Sequence, residues 1–208
     1  AAARRTLIDR DTAWPEMPPA GDPRNGSSLA AERARKAAPA PSAAPRKPEW
    51  DTSYVCVVDR FGNAFSASPS DGGENTPTIP GTGLAVSSRG TQSWVDAGHP
   101  SSIQPGKRPR LTPSPSMVIK DGRLFMPIGT PGGDVQCQAM LQVLLNMVEF
   151  RMDPQQAVEA PRFASFSFPN SFYPHDYHPG LLRVETSVGR PTLSRLGEKG
   201  HRIEEWPE

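Results

Sequence analysis

The sequence predicts an α+β domain with sheets and helices in layers, and three observations carry that expectation. Two apolar runs are each broken by a tight turn, one long stretch places apolar residues at helical spacing, and the predicted order is strands, helices, strand, helix, strand.

Each element has a local reason. Ser53 to Asp59 is a short β-branched run, followed by the turn Arg60-Phe61-Gly62-Asn63 and the alternating strand Ala64 to Ser68, so the two strands pair antiparallel. Met117 to Lys120, the turn Asp121-Gly122 and Arg123 to Ile128 repeat that logic, and both hairpins are expected to lie centrally in a sheet. Between them, Ser70 to Thr82 and His99 to Pro115 are Gly/Pro/Ser loops long enough to shape a site. Asp134 to Phe150 places Val135, Met140, Leu141, Leu144, Leu145 and Val148 at helical spacings. A shorter helix is predicted from Pro154 to Glu159, capped by Asp153 and ended by Pro161. Leu181 to Glu185 reads as a strand, Thr192 to Lys199 as a helix closed by Gly200, and His201 to Glu205 as a final strand.

Composition narrows the function classes. The 208 residues suffice for one domain, and the net charge of +1 lacks the basic field that a phosphate backbone requires, which argues against nucleic acid. No apolar run reaches the roughly 20 residues that span a bilayer, and Ala1 to Arg5 lack the apolar stretch of a signal peptide, so the chain as given reads as soluble. Cys56 and Cys137, with no CxxC and no nearby His pair, suggest neither a disulfide framework nor zinc and read as buried small hydrophobes. Lys36 to Pro48 is apolar only through Ala and Pro and reads as a linker, with a short helix at Ser27 to Lys36 before it.

Two features suggest chemistry. Gly129-Thr130-Pro131-Gly132-Gly133-Asp134 leaves a strand and enters the long helix, where paired glycines let backbone N–H groups approach an anion beside the helix N-terminus. The turn reads either as an oxyanion cradle or as a plain strand-to-helix turn needing positive φ; it is neither GxGxxG nor a P-loop. Thr52 stands where the linker meets a hydrophobic strand. Scission between Asp51 and Thr52 would put a free α-amine, titrating near 8, beside the threonine hydroxyl as its base. Uncut, the same residue is an ordinary strand former. His175-Asp176-Tyr177-His178 reads as surface or pocket wall before it reads as metal ligands, and Lys107-Arg108 with Arg110 as charge lining a site for an anionic substrate.

The ordered set of motifs resembles the gamma-glutamyltransferase family of N-terminal nucleophile hydrolases. It comprises Thr52-Ser53, Val57-Val58-Asp59, Gly62-Asn63, Pro80-Gly81-Thr82-Gly83, Pro105-Gly106-Lys107-Arg108-Pro109, Pro115, Gly129-Thr130-Pro131-Gly132-Gly133, Leu141-Gln142 with Asn146, Ala157-Val158 with Ala160-Pro161-Arg162, and Val184-Glu185 with Gly200-His201. The resemblance covers Thr52 to about Glu208, and more faintly Leu7 to Pro19. It implies a four-layer αββα sandwich, incomplete in this fragment. Residues 1–26 become the tail of a large subunit, 27–51 an Ala/Pro-rich linker ending at the autocleavage site, and 52–208 the small-subunit catalytic region, truncated at its C-terminus.

Carried over by position, Thr52 is the nucleophile, Ser70 the supporting hydroxyl, and Gly132 and Gly133 the oxyanion donors. The implied substrate contacts are Arg89, Gln92 and Thr112. Here the chain departs from the family's glutamate-binding pattern: Gly72 beside Asp71 replaces an asparagine, Arg89 stands near a position of ammonium recognition, and Leu111 with Thr112 replace two serines. A guanidinium favours a carboxylate over an ammonium. The implied activity is acyl transfer from a γ-glutamyl amide of glutathione type to water or an amine. Two alternatives stay open, a hydrolase of a small carboxylated amide such as oxamate and an inactive structural fragment. No cofactor or metal is implied, the expected partner is the rest of the chain's own precursor, and no localisation is assigned.

Overall fold

The computed structural model describes residues 5–18, 52–71 and 76–206. Asp51, Gly72, the linker at 36–48 and the helix expected at 27–36 lie outside the described residues. Two compact units divide the chain, one drawn from Ala1–Pro45, Pro161–Asn170 and Pro174–Glu208, the other from Arg46–Ala160 and Ser171–Tyr173.

The second unit opens with the predicted hairpin. Strands β1 (Val55–Val58) and β2 (Ala64–Ala67) pair antiparallel, with Val55 opposite Ala67 and Val58 opposite Ala64. Asp59 makes the turn between them by accepting the N–H groups of Phe61 and Asn63 and the Asn63 amide, while Gly62 supplies a φ of +84°. Those bonds, led by the Asn63 side chain, hold the Asp59 carboxyl below its usual range. Two short strands in the long loop, β3 (Thr78–Ile79) and β4 (Leu84–Ala85), had no sequence signal. β5 (Ser116–Lys120) and β6 (Arg123–Ile128) form the second predicted hairpin, with Asp121 and Gly122 both at positive φ as a tight turn demands.

The expectation that these hairpins are central to a sheet is corrected. Among the described residues each stands as a separate two-stranded sheet, and all four residues of β1 are exposed. Cys56, on β1, is exposed for the same reason, and Cys137 is exposed on its helix, so neither is the buried hydrophobe the sequence suggested.

After β6 a 3₁₀ turn, Gly133–Val135, leads into α1 (Gln136–Val148), two residues inside the predicted start. Helix α2 (Pro154–Glu159) begins with the expected Asp153 cap, completed as a capping box by Gln156. Asn146 Nδ2 donates to the carbonyl of Ala157, which is fully buried, tying the two helices together.

The first unit is built on a three-stranded sheet in the order β7 (Phe163–Ser165), β8 (Leu181–Glu185), β9 (Arg202–Trp206). β8 and β9 run parallel, which demands a crossover, and α3 (Arg190–Glu198) provides it. Ala164, Leu181, Leu182 and Val184 form its core. The His175–His178 run is interior rather than surface: His175, Tyr177 and His178 are all buried, the Tyr177 hydroxyl accepts the N–H of Met17 at 2.8 Å, and burial pushes the His178 imidazole below its ordinary range. An apolar cavity of about 490 Å³ in this unit is lined by residues including Leu7, Trp14, Met17, Phe168, Leu181 and His201.

Candidate functional site

Hairpin register brings the first two site residues together. Pairs in β1 and β2 run Val55 with Ala67 and Val58 with Ala64, so continuing outward by three places sets Thr52 opposite Ser70. The Ser53 N–H donates to the Pro69 carbonyl at 3.0 Å, extending the ladder past the strands, and the Thr52 and Ser70 hydroxyl oxygens lie 2.5 Å apart. That distance is a short hydroxyl–hydroxyl bond.

The predicted substrate-contact residues join the same network. Ser88–Gln92 forms a 3₁₀ turn whose first N–H groups are met by the Ser87 hydroxyl, which accepts the Arg89 N–H at 3.2 Å. With three residues per turn, Arg89 and Gln92 emerge on one face. Arg89 Nε donates to the Ser70 carbonyl at 2.8 Å, and its Nη2 donates to the Ser70 hydroxyl. Arginine has only donors, so the Ser70 hydroxyl accepts at that contact. Arg89 Nη1 reaches Gln92 Oε1 and Thr112 Oγ1 at 3.4 Å each, and Gln92 Nε2 donates to the buried Thr112 hydroxyl at 3.2 Å. Asp71 supports the turn by accepting the Ser88 N–H at 3.1 Å and the Ser88 hydroxyl at 3.3 Å. Hydrogen bonds from Ser87 first, then from Ser88, lower the Asp71 pKa, so this support persists through the ordinary carboxylate range and is lost only as pH falls through the lowered value.

At the glycine turn, Gly132 takes φ +127° and buried Gly133 φ +55°, conformations that disfavour any side chain, and Gly132 O caps the 3₁₀ turn through the Val135 N–H. Two links connect this turn to the hydroxyl network. The Tyr54 ring, two residues after Thr52, lies against Gly129, and its hydroxyl bonds Ser66 at 2.9 Å. On the other side, Ser114, two residues after Thr112, donates its N–H to the side-chain carbonyl of Gln136 at the start of α1. Burial raises the Tyr54 pKa, so the phenol stays protonated and able to donate.

Sequence reasoning missed Tyr54 and Gln136, and it missed Ser171, whose N–H donates to Asp134 Oδ2 at 2.7 Å just after the paired glycines. It also left Arg110 open to a substrate, whereas its guanidinium forms a 3.0 Å ion pair with Asp134. Among the described residues no group of three or more His, Cys, Asp or Glu side chains is placed to hold a metal ion. No helix among them is long and apolar enough to cross a membrane.

Comparison with known proteins bears on this geometry. The profile of the family described as Gamma-glutamyltranspeptidase matches residues 1–208. The glutathione hydrolase-like YwrD proenzyme of Bacillus subtilis (strain 168) is 32% identical over 212 residues, which cover 98% of this chain and 39% of that protein. A solved structure of LmbA2991 superposes with a TM-score of 0.83 at 35% identity, covering 99% of this chain and 36% of that one. A Helicobacter pylori gamma-glutamyltranspeptidase structure gives a TM-score of 0.58 at 26% identity over 74% of this chain and 84% of that one. These likenesses set the chain among the N-terminal nucleophile hydrolases. It belongs to the gamma-glutamyltranspeptidase family, and it spans about two fifths of the length of the Bacillus relative.

Proposed function

We infer that the chain is part of an autoprocessed gamma-glutamyltransferase-like enzyme with Thr52 as its nucleophile. The observation that carries this reading is the 2.5 Å contact between the Thr52 and Ser70 hydroxyls, set within a family whose Bacillus member is named a proenzyme. Processing begins when the Thr52 hydroxyl attacks the carbonyl of Asp51. The peptide C–N bond breaks, water hydrolyses the resulting ester, and Thr52 is left with a free α-amine.

In turnover that amine takes the hydroxyl proton as the Thr52 oxygen adds to the amide carbon of the substrate. The N–H groups of Gly132 and Gly133 receive the oxyanion. Collapse breaks the C–N bond, the proton passes to the leaving amine, and an acyl ester remains on Thr52. Water or a second amine then attacks the ester and restores the enzyme. The acyl donor of this reading is a γ-glutamyl amide of glutathione type.

The four-layer αββα sandwich belongs to the same proposal, as do the roles of residues 1–26, 27–51 and 52–208 as large-subunit tail, linker and catalytic region. Uncovered apolar side chains support a partner from the rest of the precursor. Val57 on β1 is 58% exposed, and Leu141, Leu145, Val148 and Phe150 leave a stripe of α1 and its end open.

Arg89 favours a second reading of the substrate, an amide that carries a carboxylate close to the scissile bond. Its Nη1 contacts with Gln92 and Thr112 are the longest the guanidinium makes, and a carboxylate oxygen would replace them with charge-assisted bonds. The test compares a γ-glutamyl anilide with small dicarboxylic monoamides on the mature full-length enzyme. A higher kcat/KM for the monoamides supports the second reading, and a higher value for the anilide supports the first. If the second holds, Arg89→Gln is expected to lower kcat/KM for the monoamides about tenfold more than for the anilide.

A further inference from the structure

The carboxylate that follows the paired glycines is committed to a segment far along the chain. Asp134 Oδ2 accepts the backbone N–H of Ser171 at 2.7 Å, and Oδ1 accepts the Ser171 hydroxyl at 2.5 Å and Arg110 Nη2 at 3.0 Å. Arg110 Nη1 closes the triangle by donating to the same hydroxyl. The roles are consistent, since the guanidinium only donates, the ionised carboxylate only accepts, and the hydroxyl does one of each. The Asp134 side chain is 8% exposed and Ser171 is 1% exposed, so the bonds between these two are largely shielded from water, while Arg110 closes the triangle from the solvent side with a side chain 51% exposed.

The same short segment also reaches the nucleophile's side of the site. The Phe172 ring lies 5.4 Å from the Arg89 guanidinium, and the Tyr173 N–H donates to the Thr91 carbonyl at 2.8 Å. Ser171–Tyr173 therefore touches both the glycine turn and the turn that holds Ser70. Gly132 and Gly133 have no side chains to fix their own N–H directions, and glycine is the least constrained backbone available. Their aim has to be imposed by a neighbour, and Asp134 is the next residue.

We propose that Asp134, held by Ser171 and Arg110, is a positioning residue that aims the Gly132 and Gly133 N–H groups and sets their distance from Thr52. The proposal rests on the reading of Thr52 as nucleophile and of the glycines as oxyanion donors. It assigns no substrate contact to Asp134. A donor set displaced by about 1 Å loses on the order of a hundredfold in rate, because the oxyanion exists only in the transition state. The effect should therefore fall on kcat and spare KM.

The experiment uses the full-length precursor, with rates expressed per cleaved chain as counted by intact mass, and per total chain for Thr52→Ala, which is expected to stay uncut. Asp134→Asn keeps the shape but turns an NH2 group toward donors. It should lower kcat about 10- to 100-fold with KM unchanged within about threefold, and single-turnover acylation should slow in parallel. Ser171→Ala should lower kcat about 3- to 10-fold, and Ser171→Thr, which restores the hydroxyl, should return it to within about twofold of the unaltered enzyme. A kcat within twofold of the unaltered enzyme in Asp134→Asn, or a change confined to KM, overturns the proposal. Where Asp134→Asn fails to accumulate, the serine pair decides, and Ser171→Ala at full kcat overturns it. Should Thr52→Ala retain turnover, the nucleophile reading falls and takes this one with it. Full activity in Asp134→Asn beside a dead Thr52→Ala sinks the positioning role alone.

Discussion

Thr52→Ala, made in the full-length precursor, is expected to yield a single uncut chain whose turnover is lower by about 10⁴-fold or more. Both losses have one origin, because the hydroxyl that would open the Asp51–Thr52 peptide bond is the one that would attack the substrate. A denaturing gel with N-terminal sequencing reads the first, and amide hydrolysis reads the second. Thr52→Ser keeps an oxygen at the same position and should retain cleavage and measurable turnover. Ser70→Ala removes the 2.5 Å partner but not the nucleophile, so it should slow both steps without abolishing either. Turnover that survives Thr52→Ala would exclude the nucleophile assignment, and an unaltered precursor that stays whole and inert would favour a purely structural role.

The antiparallel hairpin that carries Thr52 and Ser70 was legible in the sequence, but its register was not. A four-residue turn at Arg60-Phe61-Gly62-Asn63 would set Asp59 opposite Ala64 and Thr52 opposite Asp71, whereas Asp59 pairs with Asn63, Val58 faces Ala64, and the ladder extended outward brings Thr52 to Ser70. The capping box at Asp153 was legible for the same local reason. What the sequence could not supply was the path of the loops. Arg89 meets Ser70 across 19 positions and Asp134 meets Ser171 across 37, with no periodicity to announce either. The exposure of β1 and of both cysteines escaped for a different reason. A hydrophobic strand reads as buried whatever covers it, and the pattern carries no information about whether the cover lies within the same stretch of chain.

Gly129→Ala should be the most disruptive single-methyl change near the site, although Gly129 is not among the glycines at positive φ. The obstacle is space. A methyl carbon placed on Gly129 would stand 2.2 Å from Cε2 and 2.3 Å from Cδ2 of the Tyr54 ring, far inside van der Waals contact. A tyrosine ring cannot bend away as the end of a flexible chain can, and its hydroxyl is held by Ser66, which in turn donates to the Ser116 carbonyl. Relief requires either the ring or the backbone to move, at about 2 kcal/mol or more. Because Tyr54 is two residues from Thr52 and Gly129 opens the glycine turn, either movement shifts the nucleophile relative to the oxyanion donors. The expected result is a lower unfolding midpoint together with reduced kcat. Tyr54→Ala in the same chain removes the collision, so the double variant should lose less than the two single losses added together. Strict additivity, or a Gly129→Ala protein with an unchanged midpoint, would show that the close approach does not hold these two strands in place.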